Sequence, residues 1–285
     1  MSPESAAKFD AARQRLSHAG SVLVAFSGGI DSAVASLLAV QAVGPERSLA
    51  ITGRSHATPS AELESVADIA AEIGIRHELL DTDEFTNPDY LRNPTDRCYY
   101  CKNELYGRLT ALAAERRFGV VINGLNADDL SDYRPGIEAA KQHGILAPLA
   151  DAGISKAEIR AFAAAHGLSI HDKPASPCLS SRVPYGEAIT PDKLRRIDAA
   201  ERLLRELGFR DCRVRHHDRL ARIEVPADEI ERLASEDVRE RLDAELRALG
   251  FLYVTMDLRG LRSGSLNEAL IGSGLATALA QRVSS

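Results

Sequence analysis

The stretch Val22-Leu23-Val24-Ala25-Phe26-Ser27-Gly28-Gly29-Ile30-Asp31-Ser32 decides the architecture. Its five leading apolar residues read as a buried strand, and Ala33 to Val43 reads as a helix packed on it. The turn between them holds two glycines, an Asp and two serines. A turn of that composition aims several backbone N–H groups at one point, and the helix N-terminus adds its partial positive charge there. The product is an anion site of phosphate size. It lacks the lysine that reaches the β- and γ-phosphates in the common nucleotide loop. An ordinary tight turn is the competing reading, and the buried strand before it and the Asp-Ser pair after it weigh against that.

Outward from this turn, short apolar strands alternate with amphipathic helices. A polar, alanine-rich helix precedes it, up to about Gly20. Ser48 to Thr52 is a second strand, ending in the loop Gly53-Arg54-Ser55-His56. Glu62 to Ile73 carries a helical apolar stripe closed by Gly74. Ile75 to Leu80 is a third strand, followed by a polar loop from Asp81 to Arg97 and a helix from Lys102 to Phe118. Gly119 to Asn123 is a fourth strand and Ile145 to Leu149 a fifth. Ser155 and Glu158 form a capping box that opens a helix through His166. This alternation predicts an α/β fold with a doubly wound parallel sheet, whose ligands lie beyond the C-terminal strand ends. That rule gathers Ser27 to Ser32, Gly53 to His56 and Gly124-Leu125-Asn126-Ala127-Asp128-Asp129 on one side. Ser27, Gly28, Gly29, Asp31, Ser32, Ser55 and Gly124 are the candidate nucleotide contacts.

From His171 to Gly186, with Pro174, Pro177 and Pro184, no regular helix can form, and an ordered crossing loop is expected. The pattern then changes. Pro191 to Leu207 is a helix closed by Gly208, and Cys212 to His216 and Ala221 to Val225 are strands. Ala227 to Leu249 is helical, in one or two pieces, and Phe251 to Leu258 is a last strand. Residues 1–186 therefore form the nucleotide domain. Residues 187–285 form a second, smaller α+β domain for substrate binding or oligomerisation.

The 285 residues suffice for two domains with separate cores. A hydrophobic content of 45% with 12 prolines describes an ordinary globular chain. A net charge of −6 provides no global basic field to recruit nucleic acid. No apolar run approaches the roughly 20 residues of a membrane span. Met1 to Asp10 lacks a signal-peptide pattern. A cytoplasmic protein without a membrane partner is expected. Four scattered cysteines, Cys98, Cys101, Cys178 and Cys212, point to thiols, metal ligands or catalysts rather than to a disulfide scaffold.

Three constellations carry chemistry. An Asp at position 31 facing several phosphates would repel them unless a divalent cation lay between, so Mg²⁺ is implied; a helix N-cap carboxylate is its plainer reading. Arg97-Cys98-Tyr99-Tyr100-Cys101-Lys102 places a CxxC at a helix start, where the dipole stabilises thiolates. A redox pair, half a zinc site or cluster ligands all fit that spacing. Cys178 adds a thiol in the proline-bounded loop with Arg182 nearby, whereas Cys212 reads as a buried, inert thiol. Three cysteines can hold an iron–sulfur cluster with one iron left open for sulfide, while a zinc site that also uses His171, His216 or His217 has no recognisable spacing. Finally, Arg213 and Arg215 share one face of a predicted strand and suit a phosphate or carboxylate ligand. A solvated strand face is the alternative.

The Ser-Gly-Gly-Ile-Asp-Ser order of residues 27–32 resembles the pyrophosphate loop of the PP-loop ATP pyrophosphatases, which split ATP between its α and β phosphates. Across nearly the whole chain, the sequence resembles the LarE family of PP-loop sulfur transferases. The resemblance rests on that loop, on Gly124 to Asp129 with Asp132-Tyr133-Arg134-Pro135-Gly136, on Pro177 to Gly186, and on Arg213 to Glu224. It implies ATP and Mg²⁺ as cofactors and a small nucleotide substrate, a pyridinium biscarboxylate mononucleotide, bound by Arg182, Arg213 and Arg215. Each carboxylate would be adenylated and then converted to a thiocarboxylate for the nickel-pincer nucleotide. In one branch of the family the cysteine matching Cys178 gives up its own sulfur. In another, three cysteines hold a [4Fe–4S] cluster supplied with sulfide or by a sulfur donor, and Cys98, Cys101 and Cys178 match that branch. Glu201 and Glu224 loosely match acidic, metal-binding positions of the family. A homo-oligomer is expected. A PP-loop enzyme that thiolates tRNA is the rival, disfavoured by the acidic pI of about 5.8, and a non-enzymatic nucleotide- or metal-binding module is the bland alternative.

Overall fold

The computed structural model describes residues 2–131, 135–173, 176–262 and 265. Asp132, Tyr133, Arg134 and Pro174 of the sequence motifs lie outside them. The chain divides into two units, one of Met1–Tyr90 and Pro94–Ser176, the other of Leu91–Asn93 and Pro177–Ser285.

In the first unit, the elements run α1 (Pro3–Ser17), β1 (Val22–Ala25), α2 (Ile30–Val43), β2 (Ser48–Arg54), α3 (Ser60–Ile73), β3 (Arg76–Asp81), α4 (Pro88–Leu91), α5 (Arg97–Glu115), β4 (Val120–Ile122), α6 (Pro135–Gln142), α7 (Pro148–Asp151) and α8 (Lys156–Ala165). α4 ends at the join between the units. The strands form a parallel sheet in the order β3-β2-β1-β4. Because strand residues alternate faces, Val22 and Val24 of β1 pack with Phe9, Leu38, Val66 and Phe162. Leu23 packs on the opposite side with Tyr106, Leu109 and Ala139. Helices α1, α2, α3 and α8 thus cover one face and α5 and α6 the other. Two covered faces explain why β1 is apolar throughout rather than alternating.

Two expectations change. Ile145 to Leu149 is not a full strand: only Leu146 bridges to Ile122. Pro148 has no N–H to donate to a ladder and instead opens α7. Helix α5 begins at Arg97, five residues before Lys102, so the CxxC lies within the helix.

The second unit continues with α9 (Pro191–Glu206), β5 (Arg213–His217), β6 (Leu220–Glu224), α10 (Ile230–Ala234), α11 (Glu236–Ala248) and β7 (Tyr253–Met256). Its sheet runs β5-β6-β7, antiparallel then parallel. Thr190 caps α9 by accepting from the Lys193 N–H, and Pro191 occupies the first turn. Leu204, Phe209, Val214, Ile223, Leu246 and Phe251 build its separate core. Residues 177–186 group with this unit, ten residues before the boundary drawn at Gly186. Asn93 fixes them there, its side-chain amide donating to the carbonyls of Val183, Pro184 and Glu187. Among the described residues, no helix is long and apolar enough to cross a membrane.

Candidate functional site

The turn after β1 is held by its own hydroxyls. Ser32 Oγ accepts from the Ser27 N–H at 3.2 Å and donates to the Gly29 carbonyl at 2.9 Å, while the Gly29 N–H donates to Ser27 Oγ at 3.3 Å. Gly28 takes φ +73°, and a Cβ there would meet Val66 Cγ1 at 2.7 Å, so the position requires glycine on two counts. Gly29 caps α2 without a side-chain acceptor. The first-turn N–H groups of a 14-residue helix therefore lack a side-chain cap at the mouth of the turn.

Two further segments converge on this point. A Cβ on Gly124, just beyond β4, would lie 2.6 Å from the Ser32 nitrogen and 2.7 Å from the Asp31 carbonyl carbon. Only glycine lets the β4 loop lie so close to the start of α2. Two residues on, Asn126 donates from Nδ2 to Asp31 Oδ1 at 3.3 Å. The α8 N-terminus is fixed to the same loop, since the Lys156 N–H donates to Asp128 Oδ2 at 2.8 Å. Lys156 Nζ then reaches Asp31 Oδ2 at 2.5 Å. On the other side, Lys173 Nζ lies 2.6 Å from Glu62 Oε2 and 3.5 Å from the Gly28 carbonyl.

The sequence reading singled out the glycines, the serines and Asp31 but neither lysine. The capping box at Ser155, present as expected, was the signal that would have placed Lys156 at a helix start on the ligand side of the sheet. Ser55 closes the β2 loop by accepting from the Ala57 N–H at 3.1 Å.

Asp31 suits Mg²⁺. It is a partly exposed carboxylate at an anion cradle, and Mg²⁺ is commonly held by one or two carboxylates plus substrate phosphates.

The thiols are divided between the units. Cys98, exposed, and Cys101, half-buried, lie three residues apart in the first turns of α5, so they face the same side. Cys178 is half-buried at the start of a 3₁₀ turn in the second unit. Cys212 is buried at 1% exposure, and burial followed by nearby Glu201 pushes its thiol up to about 12, in line with an inert role. Among the described residues, no three His, Cys, Asp or Glu side chains are grouped so as to hold a metal ion.

Arg182 is not aimed at a ligand in this structure. It is fully buried and paired in two-pronged fashion with Glu201, at 2.8 and 2.9 Å. Its remaining nitrogen donates to the Pro177 and Cys178 carbonyls and to Ser181 Oγ. Burial alone would lower its pKa, but the Glu201 carboxylate holds it above the usual value. Arg182 therefore shapes the loop that carries Cys178, a packing role invisible in the sequence. Arg213 and Arg215 do share a face of β5, and across the ladder they stand opposite Glu224 and Arg222. Arg215 and Arg222 both bond Glu224, at 2.8 and 3.0 Å, and Arg205 joins Arg182 on Glu201 at 3.2 Å. Asp257 takes the other end of Arg222. Glu201 and Glu224, the loosely matched acidic positions, are thus buried partners of arginine. The Nε atoms of Arg215 and Arg222 are buried without an acceptor. Burial, then the neighbouring Arg182, lowers the pKa of Arg213. Such crowding of positive charge is what an added anion would relieve.

A hydroxyl-braced cradle on a parallel strand, with a carboxylate where the common nucleotide loop has a lysine, makes the first unit a PP-loop ATP pyrophosphatase domain. Comparison with known proteins agrees. Residues 7–90 match the NAD synthase family model. An uncharacterized protein of Synechocystis is 46% identical over 263 residues, 92% of this chain and 98% of that protein. The pyridinium-3,5-bisthiocarboxylic acid mononucleotide synthase of Lactiplantibacillus plantarum is 38% identical over 257 residues, covering 90% of this chain and 92% of the synthase. An uncharacterized protein of Methanocaldococcus jannaschii is 28% identical over 242 residues, covering 85% and 91%. The chain belongs to the LarE family of PP-loop sulfur transferases. It is an ATP-dependent, adenylating enzyme that releases pyrophosphate.

Proposed function

We propose that this enzyme converts the carboxylates of a pyridinium biscarboxylate mononucleotide to thiocarboxylates, for assembly of the nickel-pincer nucleotide. The observation that carries the reading is the 38% identity, over 90% of the chain, to a synthase named for the bisthiocarboxylic product. A substrate carboxylate oxygen attacks the α-phosphorus of ATP, the bond to the β-bridging oxygen breaks, and its electron pair leaves with pyrophosphate. A sulfur nucleophile then adds to the acyl carbon and expels AMP. The cradle at Ser27 to Ser32 binds phosphates, and Asp31 is the residue that would hold Mg²⁺, which neutralises phosphate charge when bound. Arg213 and Arg215 of the second unit bind the substrate phosphate. The arginine excess around Glu201 and Glu224 supports that assignment.

Cys98, Cys101 and Cys178 are proposed as the sulfur-handling thiols, and the resemblance of these three positions to the three-cysteine branch supports a [4Fe–4S] cluster as the sulfide carrier. Such a cluster would leave one iron without a cysteine ligand, and its chemistry would be delivery of sulfide. Incubation with ATP, Mg²⁺, the dicarboxylate mononucleotide and sulfide is expected to yield thiocarboxylate by mass spectrometry; unchanged substrate beside hydrolysed ATP would overturn the proposal. Anaerobic iron analysis of Cys98→Ala, Cys101→Ala and Cys178→Ala is expected to show loss of both iron and transfer, with Cys212→Ala unaffected. Full transfer by Cys98→Ala, with loss of one H₂S from Cys178 in the intact mass, would establish the sacrificial mechanism instead.

A further inference from the structure

Because strand residues alternate faces, Arg213, Arg215 and His217 leave β5 on one side, and Arg222 of β6 stands opposite Arg215 on that side. Arg215 and Arg222 each direct one terminal nitrogen to Glu224. The other terminal nitrogen goes to the Ser181 carbonyl in Arg215 and to Asp257 in Arg222. Their Nε atoms are buried without an acceptor, and so is Nε2 of His217. The charges that act on the His217 ring are those of Arg222, Glu187, Arg215 and Glu224, so the ring belongs to the same cluster. A buried donor without an acceptor is costly, and more so on a charged group. Three of them in one cluster form the donor set of a multidentate anion. Arg215 is 8% exposed, Arg222 34% and His217 half-buried, so the cluster opens on the side of His217 and Arg222.

We infer that His217 and Arg222 are substrate-binding residues that complete the anion site of Arg213 and Arg215, and that the group they select is a phosphate monoester. A monoester presents three terminal oxygens, enough for Arg215 Nε, Arg222 Nε and His217 Nε2 together, whereas a carboxylate presents two. The imidazole donates as a neutral ring protonated on Nε2, since the two guanidinium groups beside it disfavour a third positive charge. The roles therefore divide. The guanidinium charges attract the dianion, and His217 adds a directional bond without a charge that needs balancing once the substrate leaves. No bond is made or broken at the phosphate; its attachment holds one end of the nucleotide while the reaction takes place at the carboxylates. The inference deepens the mononucleotide reading and rests on it.

Calorimetry with ribose 5-phosphate, the dicarboxylate mononucleotide and its phosphate-free nucleoside tests this, with the ATP cradle filled by α,β-methylene-ATP and Mg²⁺. His217→Phe keeps a ring and removes the donor, and Arg222→Lys keeps the charge and removes the Nε–H. Each is expected to weaken binding of both phosphate-bearing ligands about tenfold or more. Nucleoside affinity should stay within about twofold, which also reports an intact second unit. His217→Gln, which keeps a side-chain N–H, should recover part of the loss. Arg219→Ala, which removes an exposed arginine from the turn of the same hairpin, should match the wild type. In turnover, KM for the mononucleotide should rise while kcat at saturation is kept. Unchanged ribose 5-phosphate affinity in His217→Phe or Arg222→Lys, or an equal loss of nucleoside affinity, would overturn the inference. Thiolation with an unchanged KM in these variants would remove the inference and leave the proposed function. Ribose 5-phosphate binding that depends on both residues, in an enzyme that leaves the dicarboxylate mononucleotide unchanged, would remove the function and leave this site.

Discussion

Replacing Gly124 with Ala tests whether the β4 loop and the phosphate turn form one rigid site. The added methyl would sit 2.6 Å from the Ser32 nitrogen and 2.8 Å from the Ser32 Cα. Ordinary contact begins near 3.4 Å, so one segment must retreat by about 0.8 Å. The obstructing atoms are backbone in the first turn of α2, which cannot rotate aside as a side chain would. Gly124 is not at positive φ, so contact alone is at issue. Overpacking of this kind costs about 1–3 kcal/mol of stability. A displacement approaching 1 Å at a reacting centre lowers turnover by about 10²-fold. Urea denaturation and coupled pyrophosphate release, measured side by side, should show both losses, with ATP affinity falling as well. Normal release at wild-type stability would refute the close approach on which the site description depends.

Arg182→Ala should destabilise the second unit by about 3–5 kcal/mol in urea, because Glu201 would remain buried after losing its two-pronged partner, keeping Arg205 at 3.2 Å and the Val214 N–H; a loss below about 1 kcal/mol would contradict the packing role. Cys212, with its thiol pushed up to about 12, should resist iodoacetamide at pH 8 in the folded protein and react fully in urea. Burial lowers the pKa values of both His216 and His217. Their folded pKa values lie below the unfolded value of about 6.5, so their stabilising effect is complete above that pH and is lost as pH falls through the folded values. Denaturation midpoints of His216→Phe should therefore lose part of the acid sensitivity of the wild type between about pH 7 and 5, and an unchanged pH slope would argue against it.

Much of the first unit was legible because its signals are local. The five apolar residues before Ser27, the glycine turn and the Ser155–Glu158 cap each specify their own backbone, and each element forms where expected. The short segment at Ile145 failed because four of its five residues are apolar, a pattern shared by strands and buried turns, while Pro148 alone tips the balance. The start of α5 was misplaced because Arg97 to Cys101 has no strong propensity; tertiary packing of the helix extends it. Arg182 could not be read at all. Nothing in Ser181-Arg182-Val183 reveals that Glu201, nineteen residues away, will draw the guanidinium inward. The contact of Lys156 with Asp31 was hidden for the same reason, since the two lie 125 residues apart.

We propose that Asp31 and the turn around it direct cleavage of ATP between its α and β phosphates. Product analysis by ³¹P NMR, with ATP, Mg²⁺ and the dicarboxylate mononucleotide present, tests it most directly. AMP and pyrophosphate should form in equal amounts with the wild type, and neither with folded Asp31→Asn. ADP and inorganic phosphate as products, or undiminished pyrophosphate from Asp31→Asn, would contradict the account.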